Sequence, residues 1–217
     1  MKRLPVNTPT RTGPVHVSVI SASDAGRRVR TGARIGTDSR RQYPWYVRLI
    51  FALQRRKYGQ ELEPARLWGR IPRAYLWLTL LYRSLDRASS PIEPALRSLI
   101  QVRIAQIDWC AFCTDLNSAA AIDRHVPQAK LEALPEHAVS PLFSDRERAA
   151  LAYAEAIADS RRGVDDQLFE QVRKHFDEDS VIELTAIITF QDLSAKFNAA
   201  LSVPAQGFCA PRVGKEP

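Results

Sequence analysis

The chain has 217 residues, 45% of them hydrophobic, with a formal net charge of +7 and three cysteines. This length is sufficient for one domain with a full hydrophobic core, and three cysteines are too few for a disulfide-stapled secreted scaffold. No run of about 18 apolar residues occurs, so the sequence predicts no transmembrane helix, and we expect a protein of the reducing cytoplasm without a membrane partner.

The positive charge is concentrated near the start of the chain. Residues 1–41 hold nine of the 31 Lys and Arg residues but only two of the 24 acidic residues, so positions 42–217 hold 22 of each. A polar, highly charged segment is typical of disorder, whereas a neutral domain lacks the basic surface that nucleic-acid binding requires. We therefore predict a disordered basic arm over residues 1–42, an all-helical domain over residues 43–217 and no nucleic-acid partner.

Apolar residues recur at helical spacing from about residue 44 to about residue 201, which predicts an all-α domain. The first helix ends in a basic run at residues 55–57 before Gly59, a typical C-terminal sequence. The second helix starts near Pro72. Its run from Tyr75 to Leu85 is so apolar that we expect a core helix buried on most sides.

The next two helices flank a cysteine motif. Ser90 and Glu93 have capping-box spacing, which predicts a helix start there and an apolar face that continues to Ile107. Asp108 is the predicted N-cap of the following helix, and this places Cys110 in the first turn.

Three helices are predicted in the C-terminal half. Ser144 and Glu147 form a second capping box, residues 165–176 read as a short helix, and residues 180–201 read as a long central helix. The residues after Pro204 are expected to be loosely held, although Phe208 and Cys209 could dock on the domain.

Cys110 and Cys113 are three positions apart, which is the spacing of a redox pair. Residues i and i+3 lie on one face of a helix, so a sulfenic acid on one cysteine can condense with the other thiol to form a disulfide. A helix N-terminus also favours the thiolate, which is the reactive form. We therefore predict both cysteines as catalytic, and the sequence leaves open which of them attacks.

The run from Leu96 to Cys113, a hydrophobic helix followed by a short break and the two cysteines, resembles the alkylhydroperoxidase D-like proteins, which are grouped with the carboxymuconolactone decarboxylases. Residues 181–185 and 197–201 are similar to the closing helix of that family, and the resemblance extends over residues 44–209. It implies an all-α fold, a homo-oligomer, and a dithiol that reduces small hydroperoxides with electrons from a partner thiol or disulfide donor.

Two positions depart from the family pattern. Peroxidase members usually carry a Glu twelve residues before the first cysteine and a His four residues after the second, and these positions are Ser98 and Asn117 here. Neither side chain can act as a general base, although Asn117 can still donate a hydrogen bond to a thiolate. The sequence offers carboxylates as substitutes, with Glu183 the most interesting because it lies on an apolar helix; the other two are Asp108 and Asp115.

The aromatic residues within the motif, Trp109 and Phe112, either pack in the core or form the walls of a small apolar pocket for an organic hydroperoxide. No cofactor is required, and no metal site is predicted, because zinc would need two ligands beyond the cysteine pair and the sequence has no second paired spacing.

The sequence therefore predicts an antioxidant, thiol-dependent hydroperoxide reductase of peroxiredoxin-like activity. The alternative is a redox-sensing or structural homo-oligomer whose cysteines switch without turnover. A carboxymuconolactone decarboxylase activity is the weaker reading, because that branch of the family generally lacks the cysteine pair.

Overall fold

The computed structural model describes residues 32–36 and 41–209. Within these ranges the chain forms helices and no strand, which confirms the predicted all-α fold. The helices are α1 Trp45–Tyr58, α2 Glu63–Trp68, α3 Pro72–Leu85, α4 Pro94–Ile107, α5 Ala111–Asp123, α6 Gln128–Glu132, α7 Asp145–Ala158, α8 Asp166–Arg173 and α9 Glu178–Ala200, with a 3-10 turn at Leu134–Glu136.

Most of the predicted basic arm lies outside the described residues. In the part of the chain that is described, every helix is too short or too polar to cross a bilayer.

The core has two parts, and α4 and α9 contribute to both. One part is formed by α4, α7, α8 and α9, with Ile100, Leu151 and Leu184 fully buried. The other lies between α1, α2, α5 and α9 and includes both Cys110 and Cys113. The cysteine motif therefore belongs to a hydrophobic core rather than to a surface loop.

Local sequence signals position several helix ends as expected. Gly59 ends α1 in a left-handed conformation with φ 77°, and its N–H bonds to the carbonyl of Arg55. Ser144 and Glu147 form a complete capping box at the start of α7. Both ends were predicted from side-chain chemistry alone, and both are confirmed.

The start of α4 differs from the prediction. The helix begins at Pro94, Glu93 is the N-cap residue, and no side chain caps the end. The hydroxyl of Ser90 instead donates to Glu183 and accepts the N–H of Ile92. Proline is favoured in the first turn of a helix, so Pro94 sets the start and the predicted capping box does not form.

The prediction that α3 is a core helix is also wrong. Only Tyr75 is buried, whereas Trp77 is 68% exposed and Leu80 and Leu81 are about half exposed. The helix packs against α1, α2 and α9 on one side only, so its opposite face is apolar and uncovered in this chain.

Candidate active site

The turn between α4 and α5 positions the cysteine motif. Asp108 is the C-cap residue of α4, Trp109 has a left-handed φ of 54°, and the N–H of Cys110 bonds to the carbonyl of Ala105. This is the hydrogen-bond pattern of a Schellman motif, in which a left-handed residue ends a helix. The chain then reverses directly into α5.

Cys110 is the N-cap of α5, which corrects the prediction that Asp108 takes this role. Its Sγ accepts the backbone N–H of Cys113 at 3.1 Å. Asp108 is used to end α4, so the helix start falls two residues later than predicted. The first-turn N–H groups and the helix dipole favour negative charge on a sulfur in this position.

Cys110 and Cys113 form a disulfide, with their Cα atoms 5.2 Å apart. Both residues are buried, with 1% and 4% of their surface exposed. The two sulfurs are therefore held in the same turn of the helix and shielded from bulk solvent.

Cys113, but not Cys110, lines a cavity of about 160 Å³ between α1, α2, α3, α5 and α9. The lining is mainly aromatic and aliphatic and includes Tyr58, Trp68, Tyr75, Tyr82, Phe112 and Phe190. It also carries four amides: Gln54, which accepts a hydrogen bond from the Tyr75 hydroxyl, and a group of three, Asn117, Gln191 and Asn198. The cavity thus presents one sulfur to a mostly apolar space with a neutral polar edge.

Within the group of three, the amides contact one another and the sulfur. Asn198 donates a hydrogen bond to Cys113 Sγ at 3.3 Å. Asn117 donates to Gln191 Oε1 at 3.2 Å and to the carbonyl of Gln101 at 3.4 Å. Asn117, the predicted hydrogen-bond donor to the thiolate, therefore lines the cavity but bonds to Gln101 and Gln191. The side chain that bonds to the sulfur is that of Asn198.

Among the described residues, no carboxylate or imidazole lines this cavity. Its titratable groups other than the thiol are tyrosines, and burial raises the pKa of Tyr75 and of Tyr82 well above the usual value. Both hydroxyls are consequently protonated at neutral pH, and the thiol has no general base in its cavity.

Ser98 and Glu183, two of the predicted supporting residues, belong to a separate polar network. The Ser98 hydroxyl accepts from Arg124 at 3.1 Å, and Glu183 pairs with Arg87 and Ser90. Burial opposes ionisation of Glu183, but its hydrogen bonds from Ser90 and Arg87 are sufficient to lower its pKa. Neither residue lines the Cys113 cavity.

Asp115, the third predicted carboxylate, fixes the C-terminal segment. It accepts the backbone N–H groups of four successive residues at 2.7–3.1 Å, namely Gln206, Gly207, Phe208 and Cys209. The Phe208 ring makes edge contacts with Phe112 and Tyr58. Residues 206–209 are therefore held against α5, so the expected looseness does not apply to this segment, and the docking of Phe208 and Cys209 that the sequence allowed is observed.

Asp108, the fourth candidate, faces α9 rather than the cavity. Burial, followed by the neighbouring charge of Asp192 and a hydrogen bond with it, raises the pKa of Asp108 to about 6, against the opposing effect of Lys196. The pair joins the C-terminal end of α4 to α9, two residues before Cys110.

The two aromatic residues of the motif have different environments. Phe112 is buried and lines the cavity, whereas Trp109 is 89% exposed and does not. Because Trp109 occupies the left-handed position of the turn, its side chain projects away from the domain. The prediction that it forms a pocket wall is wrong.

Gln191 and Asn198 are site residues that the sequence reasoning missed. They lie seven positions apart, two turns of α9, so they share one helix face. Two amides on one face of a helix that also carries a buried apolar face are a recognisable signal, because a buried amide requires a polar partner.

Comparison with known proteins supports the fold and the family. The family model for the carboxymuconolactone decarboxylase family matches residues 72–156. The uncharacterized protein YnjA of Escherichia coli K12 is 46% identical over 157 residues, which covers 72% of this chain and 86% of YnjA.

Two solved structures show the same fold at low sequence identity. An uncharacterized peroxidase-related protein with an alkylhydroperoxidase core, from Ralstonia eutropha JMP134, superposes with a TM-score of 0.73 at 18% identity, over 83% of this chain and 96% of that chain. The debrominase Bmp8 superposes with a TM-score of 0.68 at 24% identity, over 76% of this chain and 88% of that chain. With the helical fold, the buried cysteine pair and a relative at 46% identity, this chain belongs to the carboxymuconolactone decarboxylase family and has the alkylhydroperoxidase D-like fold.

Proposed function

We propose that this protein is a thiol-dependent hydroperoxide reductase that cycles Cys110 and Cys113 between dithiol and disulfide. One observation carries the proposal: Cys113 lines an apolar cavity, its sulfur accepts a hydrogen bond from the cavity residue Asn198, and Cys110 is the N-cap of the same helix. This arrangement offers one sulfur to a small substrate and keeps the second within bonding distance of the first.

The proposed cycle has three steps. The Cys113 thiolate attacks the terminal oxygen of the hydroperoxide, the O–O bond breaks, and the alkoxide takes a proton to leave as an alcohol. The resulting Cys113 sulfenic acid condenses with the Cys110 thiol, which releases water and forms the disulfide. A dithiol donor then reduces the disulfide by exchange and is itself oxidised.

The residues of the cavity support the first step without a titratable relay. The Asn198 amide and the start of α5 stabilise negative charge on a sulfur. The proton for the leaving alkoxide comes from water. The described cavity residues include no carboxylate or imidazole, which are the side chains that can give up a proton and take it back near neutral pH.

The test is consumption of an organic hydroperoxide by the full chain in the presence of a dithiol. We expect turnover by the wild type and by Cys209→Ser, because Cys209 is exposed and outside the cavity. Cys110→Ser and Cys113→Ser should each abolish steady-state turnover. Equal rates for all four proteins would overturn the proposal.

A second candidate function is a redox switch without turnover. The observation that favours it is the absence of a carboxylate or imidazole from the described wall of the Cys113 cavity. This alternative predicts a disulfide that forms reversibly but without catalytic turnover. Peroxide would then be consumed no faster than by the free dithiol. Carboxymuconolactone decarboxylation would proceed without dithiol and with both cysteines replaced, so the same variants distinguish it.

We further propose that the protein is a homo-oligomer. The support is the exposed apolar side chains of α1 and α3, which are Trp45, Leu49, Leu53, Trp77, Leu80 and Leu81. Large exposed apolar surfaces usually mark contacts with another chain. Light scattering should show an assembly larger than one chain, and Trp77→Glu should reduce its size.

A further inference from the structure

The Cys113 cavity does not accommodate a sizeable organic substrate by itself. Its volume of about 160 Å³ is smaller than the roughly 300–1,000 Å³ of typical ligand pockets. A second cavity of about 440 Å³ lies next to it and shares four lining residues, Tyr58, Tyr82, Leu116 and Asn117. Each of the four is only partly buried, so the boundary between the two cavities is made of side chains and not of the fully buried core.

The outer cavity adds charged residues to the apolar inner one. Lys57, Asp123 and Arg124 line it, together with the Phe208 ring of the C-terminal segment. Among the described residues that line the inner cavity, in contrast, only the cysteine can carry a charge near neutral pH. The two cavities together therefore suit a molecule with an apolar part and a charged end.

The sign of that charge follows from the ion pairs. Arg124 binds Asp86 through two short contacts, and Arg97 pairs with the same carboxylate at 3.2 Å. Two guanidinium groups thus share one carboxylate. Asp123, at the end of α5, offsets the remaining positive charge of this group. Lys57 adds a further positive charge, so the outer cavity is positive overall and suits a negatively charged ligand end.

Lys57 is the cation best placed to receive a ligand. Its ammonium lies 5.0 Å from the centre of the Tyr58 ring, and Tyr58 lines both cavities. No carboxylate of the described residues lies within ion-pair distance of it. An anionic ligand at Lys57 therefore has no competing protein carboxylate to displace.

We propose that the preferred substrate is an organic hydroperoxide that carries a carboxylate, bound with its peroxide group at Cys113 and its carboxylate at Lys57. The apolar part passes the common wall of Tyr58, Tyr82 and Leu116. This inference rests on the proposed reductase function and specifies the substrate class; the chemical step is the one already described.

The test compares linoleic acid hydroperoxide with its methyl ester, which differ only at the remote group, in its charge and by one methyl. In the wild type we expect a lower KM for the acid. Lys57→Gln should raise the KM for the acid about three- to fivefold, as expected for one partly exposed ion pair, and leave kcat and both constants for the ester unchanged. Arg56→Gln is the matched control, since Arg56 is the neighbouring exposed cation on α1 and lines neither cavity.

Equal KM values for acid and ester, or an equal effect of Lys57→Gln on both, would overturn the substrate assignment and leave the reductase proposal intact. If neither compound is turned over, the reductase proposal fails, and a binding measurement then tests the carboxylate assignment on its own. The redox-inactive Cys113→Ser protein should then bind the corresponding hydroxy acid more tightly than its methyl ester, and Lys57→Gln should remove that difference.

Discussion

Asn198 on α9 donates its side-chain N–H to the sulfur of Cys113 on α5 across 3.3 Å, in the interior of the protein. The two residues are 85 positions apart in the chain. Because a hydrogen bond to a charged acceptor is stronger than one to a neutral acceptor, this contact favours the thiolate over the thiol.

Asn198→Leu should lower kcat/KM for hydroperoxide about tenfold or more, because a hydrogen bond to a charged group contributes about 1.5–3 kcal/mol. The rate profile should also shift to higher pH, since the thiolate loses its donor. Ser194→Ala, which alters another cavity residue of α9, is the control and should change neither.

Stability measurements separate this role from a structural one. Asn198 Oδ1 is buried without a hydrogen-bond partner in the described structure, so an apolar side chain of similar size removes an unsatisfied atom. We therefore expect the free energy of unfolding of Asn198→Leu to equal or exceed that of the wild type. A large loss of stability with unchanged pH dependence would contradict the assignment.

The unequal placement of the two sulfurs predicts unequal single-turnover chemistry. Cys113 lines the cavity and Cys110 does not, so we expect Cys113 to be the attacking thiol. Reduced Cys110→Ser should consume one equivalent of hydroperoxide and accumulate a sulfenic acid at Cys113, which dimedone labelling and mass spectrometry detect. Reduced Cys113→Ser should react far more slowly, and a burst from that variant would reverse the assignment.

The sequence was sufficient to predict what local chemistry determines. The all-α fold, the glycine end of α1 and the capping box at Ser144 depend on neighbours within a few residues, and all three are confirmed. The start of α4 shows the limit of such signals, because Ser90 and Glu93 have capping-box spacing and yet the helix begins at Pro94 without a side-chain cap.

Predictions that required knowledge of packing were less successful. The apolar run in α3 indicated burial, but a pattern does not say on how many sides neighbouring helices lie, and Trp77 is exposed. For the same reason the sequence suggested Asp115 and Glu183 as relay groups, although each is bound to partners far along the chain. The carboxylate of Asp115 meets residues 206–209, and that pairing exists only once the chain has folded.

The contacts of Asp115 predict a specific loss of order. Asp115→Ala removes the acceptor for the four N–H groups of residues 206–209, so this segment should detach from α5. We expect a loss of about 1–2 kcal/mol in the free energy of unfolding, in line with a charged acceptor at a partly exposed site. Hydrogen exchange should accelerate in that segment, while Asp123→Ala, on the last residue of the same helix, should leave it protected.

The raised pKa of Asp108 predicts how stability depends on pH. The folded-state value is about 6, because burial and the neighbouring Asp192 disfavour the ionised form, whereas the unfolded value is near 3.8. Between these two values the folded state binds more protons than the unfolded state, so this group's contribution to stability decreases as pH rises from about 4 to about 6 and stays low above that.

Asp108→Asn keeps a side chain that can bond Asp192 but does not ionise. It should therefore be more stable than the wild type at pH 7, and the difference between the two proteins should shrink as the pH falls to 4. Asp123→Asn, an exposed carboxylate, should show no such difference, and a wild type that is more stable than Asp108→Asn at pH 7 would refute this account of the Asp108 and Asp192 pair.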